Sequence, residues 1–269
     1  GLSPTVQFPR ILGIECVGQV VETTRRDLQE GQKIVSIMGE MGRAYDGSYA
    51  EYVLLPNEQI YPVDSQLSWA ELAAIPETYY TAFGSFKNMQ IKEGDSILVR
   101  AATSGVGLAF LKLVKAQFPQ NRVVGSVRSL AKKDLLQQQG FDEIILDERG
   151  VLQTEEKFDK ILELVGPATL KNSFDHIQSA GIICNTGQLG GKWYVEEFDP
   201  IVEIRNNSYL TSFYSGNVHQ QLIDELFSYI DAYKINVSPQ RIFSLEQIPA
   251  AHSYIESQAG FGKVVVLNN

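Results

Sequence analysis

Two rhythms of apolar and polar residues divide the chain. Over residues 1–75 the apolar residues come in short runs, "ILGIECVGQVVE", "GQKIVSI" and "GSYAEYVLLP", broken by Gly, Pro and Asn. Such runs predict strands, and no 3.6-residue period appears before Trp69, so this stretch reads as an all-β piece. From about residue 94 strand-like and helix-like runs alternate. Residues 97–99 predict a strand, and 105–117 a helix with Val106, Phe110, Leu113 and Val114 on one face. Strand 123–127, helix 131–139 and strand 144–146 follow, then strand 160–164, helix 167–178, and strands 182–184 and 209–213. Six strands with intervening helices fit an open parallel sheet covered on both faces. A helix near 219–233, a short helix and a closing strand, 263–267, end the chain. That strand either extends the sheet or returns to the all-β piece.

Composition narrows the classes. With 269 residues, 44% of them hydrophobic and 20% charged, the chain has the make-up of a globular protein with room for two domains. A net charge of -9 supplies no broad basic face, which argues against nucleic acid as a partner. No apolar run approaches the roughly 20 residues of a membrane span, so no membrane partner is expected. Cys16 and Cys184 lie far apart in apolar runs and read as small buried thiols, not as a disulfide framework or a zinc cluster. No secretory signal is visible, so a cytoplasmic location is expected. The chain opens "GLSPTVQFPRILG" without an initiator Met, as though the start of a longer protein were absent.

The first candidate for chemistry is the joint between strand 97–99 and helix 105–117, "AATSGVG" at 101–107. Glycine-rich dinucleotide loops carry Gly where this chain has Ala102 and Ser104, so the pattern alone is a weak signal. Its context strengthens it: the loop follows the first strand of the alternating series, and the next helix begins at its glycines. A helix N-terminus offers unpaired N–H groups and partial positive charge, which suits a pyrophosphate. Gly107 would let helix and strand pack closely, and Ala102 and Ser104 replace glycine provided their φ angles are negative. The plain alternative is a packing turn with no ligand. The second strand then bears on cofactor choice. An NAD site places an acid there for the ribose 2′-hydroxyl, whereas this chain reads "VVGSVRSLAKK", with Ser126, Arg128, Ser129 and Lys132 and no acid. A guanidinium and an ammonium would hold a 2′-phosphate, and a spacing of four residues would put both on one helical turn. NADP(H) is therefore expected over NAD(H), the alternative being a solvated basic helix start.

These stretches resemble the medium-chain dehydrogenase/reductase superfamily, and within it the zinc-free quinone oxidoreductase branch, over essentially the whole chain. "FPRILGIECVGQVVE", with Gly13, Glu15 and Gly18, is similar to the family's early stretch, and "DGSYAEYVLLP" to the strand that follows it. "AATSGVG" is similar to its nucleotide loop, "ELVG" at 163–166 to the end of its fourth Rossmann strand, and "CNTGQLGG" at 184–191 to the fifth. The terminal "GKVVV" is similar to its closing strand. The resemblance implies an α/β fold: a Rossmann doubly wound parallel sheet plus a GroES-like β domain built from both chain ends. It places the GroES-like domain at 1–75 and 240–269 and the NADP-binding Rossmann domain at 76–239, with the active site in the cleft between them. The family implies a homodimer joined through the sixth Rossmann strands, here "SYLTSF" at 208–213.

Two departures from zinc-using relatives shape the expected reaction. Those relatives carry His where this chain has Ile14, a hydrocarbon that cannot coordinate a metal, and their next ligand position is Glu77. Residues 39–47, "GEMGRAYDG", hold no Cys, so the structural-zinc lobe is absent too. A metal-free reduction of a conjugated acceptor, a quinone or an α,β-unsaturated carbonyl, is implied, because the charge developing on its oxygen is delocalised and needs only hydrogen-bond donors. Carried over residue by residue, Ser104, Gly105, Val106 and Gly107 match the pyrophosphate loop, and Ser126, Arg128, Ser129 and Lys132 the 2′-phosphate subsite. Thr81 lies at the position beside the nicotinamide carboxamide. Val165, Gly166, Thr186 and Gly187 stand at the strand ends that receive the nicotinamide, and Phe213, with Tyr214, would wall the pocket. Tyr80 and Thr81 are the candidate catalytic groups, Tyr79 a further phenol, and Glu15 reads as a structural carboxylate more than a base. His176, His219 and His252 read as surface residues. Two other readings stay open: a zinc-type alcohol dehydrogenase-like enzyme, and an NADPH-binding regulatory protein without turnover.

Overall fold

The structure, a computed structural model, describes residues 4–257 and 260–268. It begins with β1 (Glu15–Gln19), β2 (Lys33–Ile37), β3 (Tyr61–Pro62), α1 (Trp69–Ala73) and α2 (Pro76–Asn88). An alternating series follows: β4 (Ile97–Arg100), α3 (Gly105–Gln117), β5 (Val123–Val127), α4 (Lys133–Gln138), β6 (Glu143–Glu148), β7 (Val151–Leu152) and β8 (Phe158–Glu163). It continues through α5 (Leu170–Asp175), β9 (Ile177–Asn185), α6 (Pro200–Glu203) and β10 (Tyr209–Ser212). Last come α7 (Gln220–Ala232), β11 (Arg241–Ser244), α8 (Ile248–Glu256) and β12 (Val264–Leu267). Two compact units result, one of Thr81–Tyr214 and one of the chain up to Tyr80 with the chain from Ser215 onward. The dividing line falls inside α2.

The unit built from both chain ends is GroES-like. β1, β2 and β3 form an antiparallel sheet, with Val17 opposite Val35 and Val35 opposite Tyr61. Val20, Leu28 and Ile34 make its small core, covered by Leu55 and Ile60. The closing strand returns to this unit: β12 lies parallel to β11, Val265 opposite Ile242. β11 escapes sequence reading because "RIFS" is short and half polar. The strand expected in "GSYAEYVLLP" does not form. Gly47, Ser48 and Tyr49 donate backbone bonds to Ile11, Gly13 and Leu12, but Gly13 sits at φ +107° with Ser48 Oγ where a Cβ would be. That crossing is too tight and too twisted to extend into a ladder, and beyond it Tyr52 and Leu54 are exposed.

The other unit is a doubly wound parallel sheet. Its seven strands run in the order β10-β9-β8-β4-β5-β6-β7, all parallel except the short β7. Chain direction away from β4 reverses between β4 and β8, the switch point where such sheets take ligands at the carboxyl ends of their strands. Ile97, Leu98 and Val99 of β4, Val123 and Val124 of β5 and Ile161 and Leu162 of β8 are wholly buried. Leu98, Val124, Ile161 and Ile183 join Phe158, Phe174 and Ile177 in one cluster. The expected helix 167–178 shortens to α5 because Ile177 already pairs with Phe158 as the first residue of β9. His176, at that junction, is buried, with Nδ1 3.0 Å from the Glu156 carbonyl oxygen, so the expectation of a surface histidine fails there. His219 and His252 are exposed.

Candidate functional site

The loop after β4 is built from small residues for packing reasons. Ala102 is fully buried, donates its N–H to the Ser126 carbonyl and packs where Gly125 has no side chain: a Cβ on Gly125 would come within 2.6 Å of that of Ala102. Neither Ala102 nor Ser104 takes a positive φ, which meets the condition for replacing glycine; Ala101 does, at φ +64°. A side chain in that region costs roughly 1–2 kcal/mol, so the strain of the loop sits one residue before the positions that sequence reasoning weighed. Ser104 caps α3, its Oγ accepting the Gly107 N–H at 3.0 Å. The amides of Gly105 and Val106, the first helical residues, have no intrahelical carbonyl to reach. A Cβ on Gly107 would stand 3.0 Å from the Ala101 carbonyl oxygen and 3.3 Å from Val99 Cγ1, so strand and helix are in contact there.

At the end of β5, Ser126 is buried and its Oγ has no hydrogen-bond partner. An orphaned buried hydroxyl costs about 1–3 kcal/mol, and its place at a strand's carboxyl end is where a nucleotide would satisfy it. Arg128 is exposed and Lys132 half-buried. They do not share a helical turn as the spacing suggested. Ser129 between them is extended (φ -151°, ψ 135°) and caps a short 3-10 turn, Leu130–Lys132, by accepting the Ala131 N–H. Arg128 is the first residue beyond β5, and Lys132 is the last of that turn.

The ends of β8 and β9 are fixed by two glycines and a carboxylate that sequence reasoning missed. Gly166 adopts φ +88°, and a Cβ on it would meet the Gly187 carbonyl at 2.3 Å; a Cβ on Gly187 would meet that of Leu164 at 2.1 Å. Glu163 is wholly buried: its Oε1 accepts the Val165 and Gly166 amides, at 2.9 and 3.0 Å, and its carbonyl accepts those of Thr186 and Gly187. Its other oxygen accepts the Ser173 hydroxyl and lies 3.8 Å from Arg100 Nε. Arg100, also wholly buried at the end of β4, reaches Asp147 Oδ2 with Nη2 at 2.5 Å and with Nε at 3.2 Å. Its Nη1 donates to the Thr169 carbonyl and to the Asn172 and Ser173 side chains. A lone Arg closing "SILVR" and a lone Glu inside "KILELVG" were the available signals. A charge inside an apolar strand demands a buried partner.

Thr81 is buried, and its carbonyl accepts the Ser85 hydroxyl at 2.8 Å. That hydroxyl meets Thr186 Oγ1 at 2.9 Å, which in turn lies 3.3 Å from Cys184 Sγ, so Thr81, Ser85, Cys184 and Thr186 form one cluster. Burial pushes the Cys184 thiol above its ordinary pKa. Phe213 follows β10 with its ring on the bare backbone of Gly84, where a Cβ would overlap it, so it packs against α2 in this structure. Tyr214 beside it is exposed.

In the other unit, Tyr80 is fully buried, its hydroxyl donating to the Asn217 carbonyl at 2.9 Å and accepting the His219 N–H at 3.0 Å. A phenol so engaged ties α2 to the segment before α7. So engaged, the phenol would serve the catalytic role expected for Tyr80 only by giving up one of these bonds. Burial raises the Tyr79 pKa, and its hydroxyl faces the Asn236 carbonyl at 3.5 Å. Glu15 accepts the Glu77 amide at 2.8 Å and pairs with Lys263, while Glu77 accepts the Ser215 hydroxyl at 2.9 Å. Among the described residues no group of three or more His, Cys, Asp or Glu side chains gathers as a metal site, and no helix is long and apolar enough to cross a membrane.

Comparison with known proteins agrees with this architecture. Residues 1–65 match the family described as alcohol dehydrogenase GroES-like domain, and residues 139–266 the family described as zinc-binding dehydrogenase. The chain is 27% identical over 273 residues to a putative quinone oxidoreductase, YhfP, of Bacillus subtilis, covering 97% of this chain and 82% of that one. It is 25% identical to 2-methylene-furan-3-one reductase of Solanum lycopersicum, covering 96% of this chain and 64% of that one. Among solved structures, that of the E. coli K-12 protein YHDH with bound NADPH superposes with a TM-score of 0.85 at 17% identity. The match covers 98% of this chain and 84% of that one.

Proposed function

We propose, for a chain that belongs to the medium-chain dehydrogenase/reductase superfamily in its quinone oxidoreductase branch, a metal-free hydride transfer from NADPH to a quinone or an α,β-unsaturated carbonyl. The observation that carries the reading is the carboxyl edge of the parallel sheet. There a tight strand–helix joint, an orphaned buried Ser126 hydroxyl and the cations Arg128 and Lys132 stand together with no acid at the end of β5. NADPH, when bound, supplies the hydride. The amides of Gly105 and Val106, with Ser104 and Gly107, hold its pyrophosphate. Ser126, Arg128, Ser129 and Lys132 hold the 2′-phosphate through charge-assisted hydrogen bonds. Val165, Gly166, Thr186, Gly187 and Thr81 receive the nicotinamide, and Phe213 borders it. In the reaction the acceptor gains one hydride and one proton, the proton coming from solvent, and NADP+ is released.

The donor set supports a reduction without metal. Ile14 offers no ligand atom, and Glu15 is engaged by the Lys263 ammonium and the Glu77 amide. Quinones and enones spread the charge that arrives on oxygen, so hydrogen-bond donors suffice where an alkoxide would need a Lewis acid. Thr81 is the group we assign to touch the reacting end. The reading extends to a cytoplasmic enzyme with Cys16 and Cys184 as thiols, and to a homodimer joined along β10. That strand sits at one end of the sheet with Tyr209 and Leu210 exposed.

The test is oxidation of NADPH by 1,4-benzoquinone and an enone panel, with and without prolonged chelation. Turnover that survives chelation is expected. Tight NADPH binding without turnover across the panel would favour a binding protein instead. Zinc at one per chain, with activity lost on chelation and restored by zinc, would favour an alcohol dehydrogenase-like enzyme.

A further inference from the structure

The cluster of Thr81, Ser85, Cys184 and Thr186 has a direction. Ser85 Oγ lies 2.8 Å from the Thr81 carbonyl oxygen, which only accepts, so the single Ser85 proton points there. The contact between Ser85 Oγ and Thr186 Oγ1, at 2.9 Å, is then a hydrogen bond only if Thr186 donates. With the Thr186 proton spent, the 3.3 Å contact to Cys184 is satisfied by the thiol donating to Thr186 Oγ1. Cys184 also contacts Ser85, so the thiol has two acceptors, but the Ser85–Thr186 contact is a hydrogen bond only with Thr186 donating. The cluster runs from Cys184 through Thr186 and Ser85 to the backbone of α2. Cys184 is wholly buried and stays protonated, its pKa raised by burial, so it remains a donor at neutral pH.

The consequence falls on Thr186. It is half-buried, the first residue beyond β9, and its amide is anchored on the Glu163 carbonyl at 2.9 Å. Its hydroxyl keeps one lone pair and no proton to offer. A group bound there must bring the proton itself. We infer that Ser85 is a positioning residue that locks the Thr186 hydroxyl as a hydrogen-bond acceptor, so that this strand end selects the amino group of the nicotinamide carboxamide over its carbonyl oxygen. The inference rests on the nicotinamide half of the cofactor lying at the ends of β8 and β9, and it adds the polarity of the contact and the residue that sets it.

NADP+ and its 3-acetylpyridine analogue separate the ideas, because the analogue keeps the carbonyl and replaces the amino group by methyl. Binding is measured by calorimetry on the full chain, with no turnover needed, and the quantity read is the ratio of the two dissociation constants. The parent protein should prefer NADP+ by about three- to tenfold, the worth of one net hydrogen bond. Ser85→Ala releases the Thr186 proton, which can then serve the acetyl carbonyl, so the ratio should fall to within about twofold of one. Cys184→Ala removes a donor to Thr186 but leaves its proton committed to Ser85, so it should keep the parental ratio. Thr186→Val should weaken NADP+ and flatten the ratio. A general loosening of the site would weaken both ligands together and leave the ratio alone, so an unchanged ratio in Ser85→Ala overturns the inference. So does a parent protein that binds both ligands equally. A parent that binds neither ligand overturns the cofactor reading itself, and this inference with it.

Discussion

Replacing Arg100 by Leu should be the most damaging single change in the sheet unit, and its cost follows from the geometry. The guanidinium is wholly buried, 2.5 Å from Asp147 Oδ2 and 3.8 Å from Glu163 Oε2, and it also satisfies Gly150 and Thr169 carbonyls and the Asn172 and Ser173 side chains. Leu fills part of the volume but leaves two buried carboxylates without a cation. Removing one partner of a buried ion pair costs about 3–5 kcal/mol, because the remaining charge stays desolvated. At about 2–4 °C per kcal/mol, the thermal midpoint should drop by about 6–20 °C. Thermal unfolding by circular dichroism reads this. Glu163 also holds the Val165 and Gly166 amides, so the folded variant at low temperature should bind NADP+ more weakly, about tenfold for a loss near 1.4 kcal/mol. Adenosine 2′,5′-bisphosphate, which lacks the nicotinamide, should bind as before. A midpoint within a degree of the parent's would refute the argument.

Arg128→Ala with Lys132→Ala should weaken NADPH by about 2–4 kcal/mol while NADH hardly moves, at about 1.5–3 kcal/mol for each charged hydrogen bond with some redundancy. Equal losses for both cofactors in a fluorescence titration would remove these residues from the 2′-phosphate subsite. Gly107→Val should abolish dinucleotide binding, since its branches must grow from a Cβ already 3.0 Å from the Ala101 carbonyl oxygen. A folded variant with parental NADPH affinity would reduce the loop to a packing turn. Light scattering at micromolar concentration should give twice the 30.0 kDa chain mass, and Leu210→Lys on the β10 edge should shift it toward one chain. A parent protein that scatters as a single chain would contradict the dimer.

How far the sequence could be read depended on whether a residue answers to its neighbours in the chain or to distant ones. The central strands of the parallel sheet were legible because they are buried on both faces, so "ILV" at 97–99 is apolar throughout and "VVGSV" carries a single polar residue. Helix 105–117 appeared with its observed ends, since both its capping serine and its apolar stripe are local. "GSYAEYVLLP" misled because its alternation is that of a strand, while Gly13, far back in the chain, forces a crossing that no ladder survives. The end of α5 was likewise set by Phe158, which claims Ile177 for the sheet.

The site divides along the same line. Small residues at 102–107 announced a close approach of backbones, and the absence of an acid after β5 is the local signal behind the proposed 2′-phosphate subsite. Neither signal reaches across the sheet. Arg100 and Glu163 stand 63 residues apart by their numbers, and each looks like a misplaced charge until the other is brought beside it. Tyr80 shows the converse. From sequence its phenol was a candidate donor beside Thr81, and only the fold reveals that it donates to the Asn217 carbonyl and accepts the His219 amide. A polar side chain's role is set by which of its valences the scaffold leaves open. By that criterion Thr186, half-buried at a strand end, is better placed to meet a ligand than the wholly buried Tyr80. Tyr80→Phe should accordingly loosen α2, costing about 1–2 kcal/mol of stability from the unpaired Asn217 carbonyl and His219 amide, with the rate of NADPH oxidation by quinone little changed. A rate collapse in a variant of parental stability would return the phenol to the chemistry.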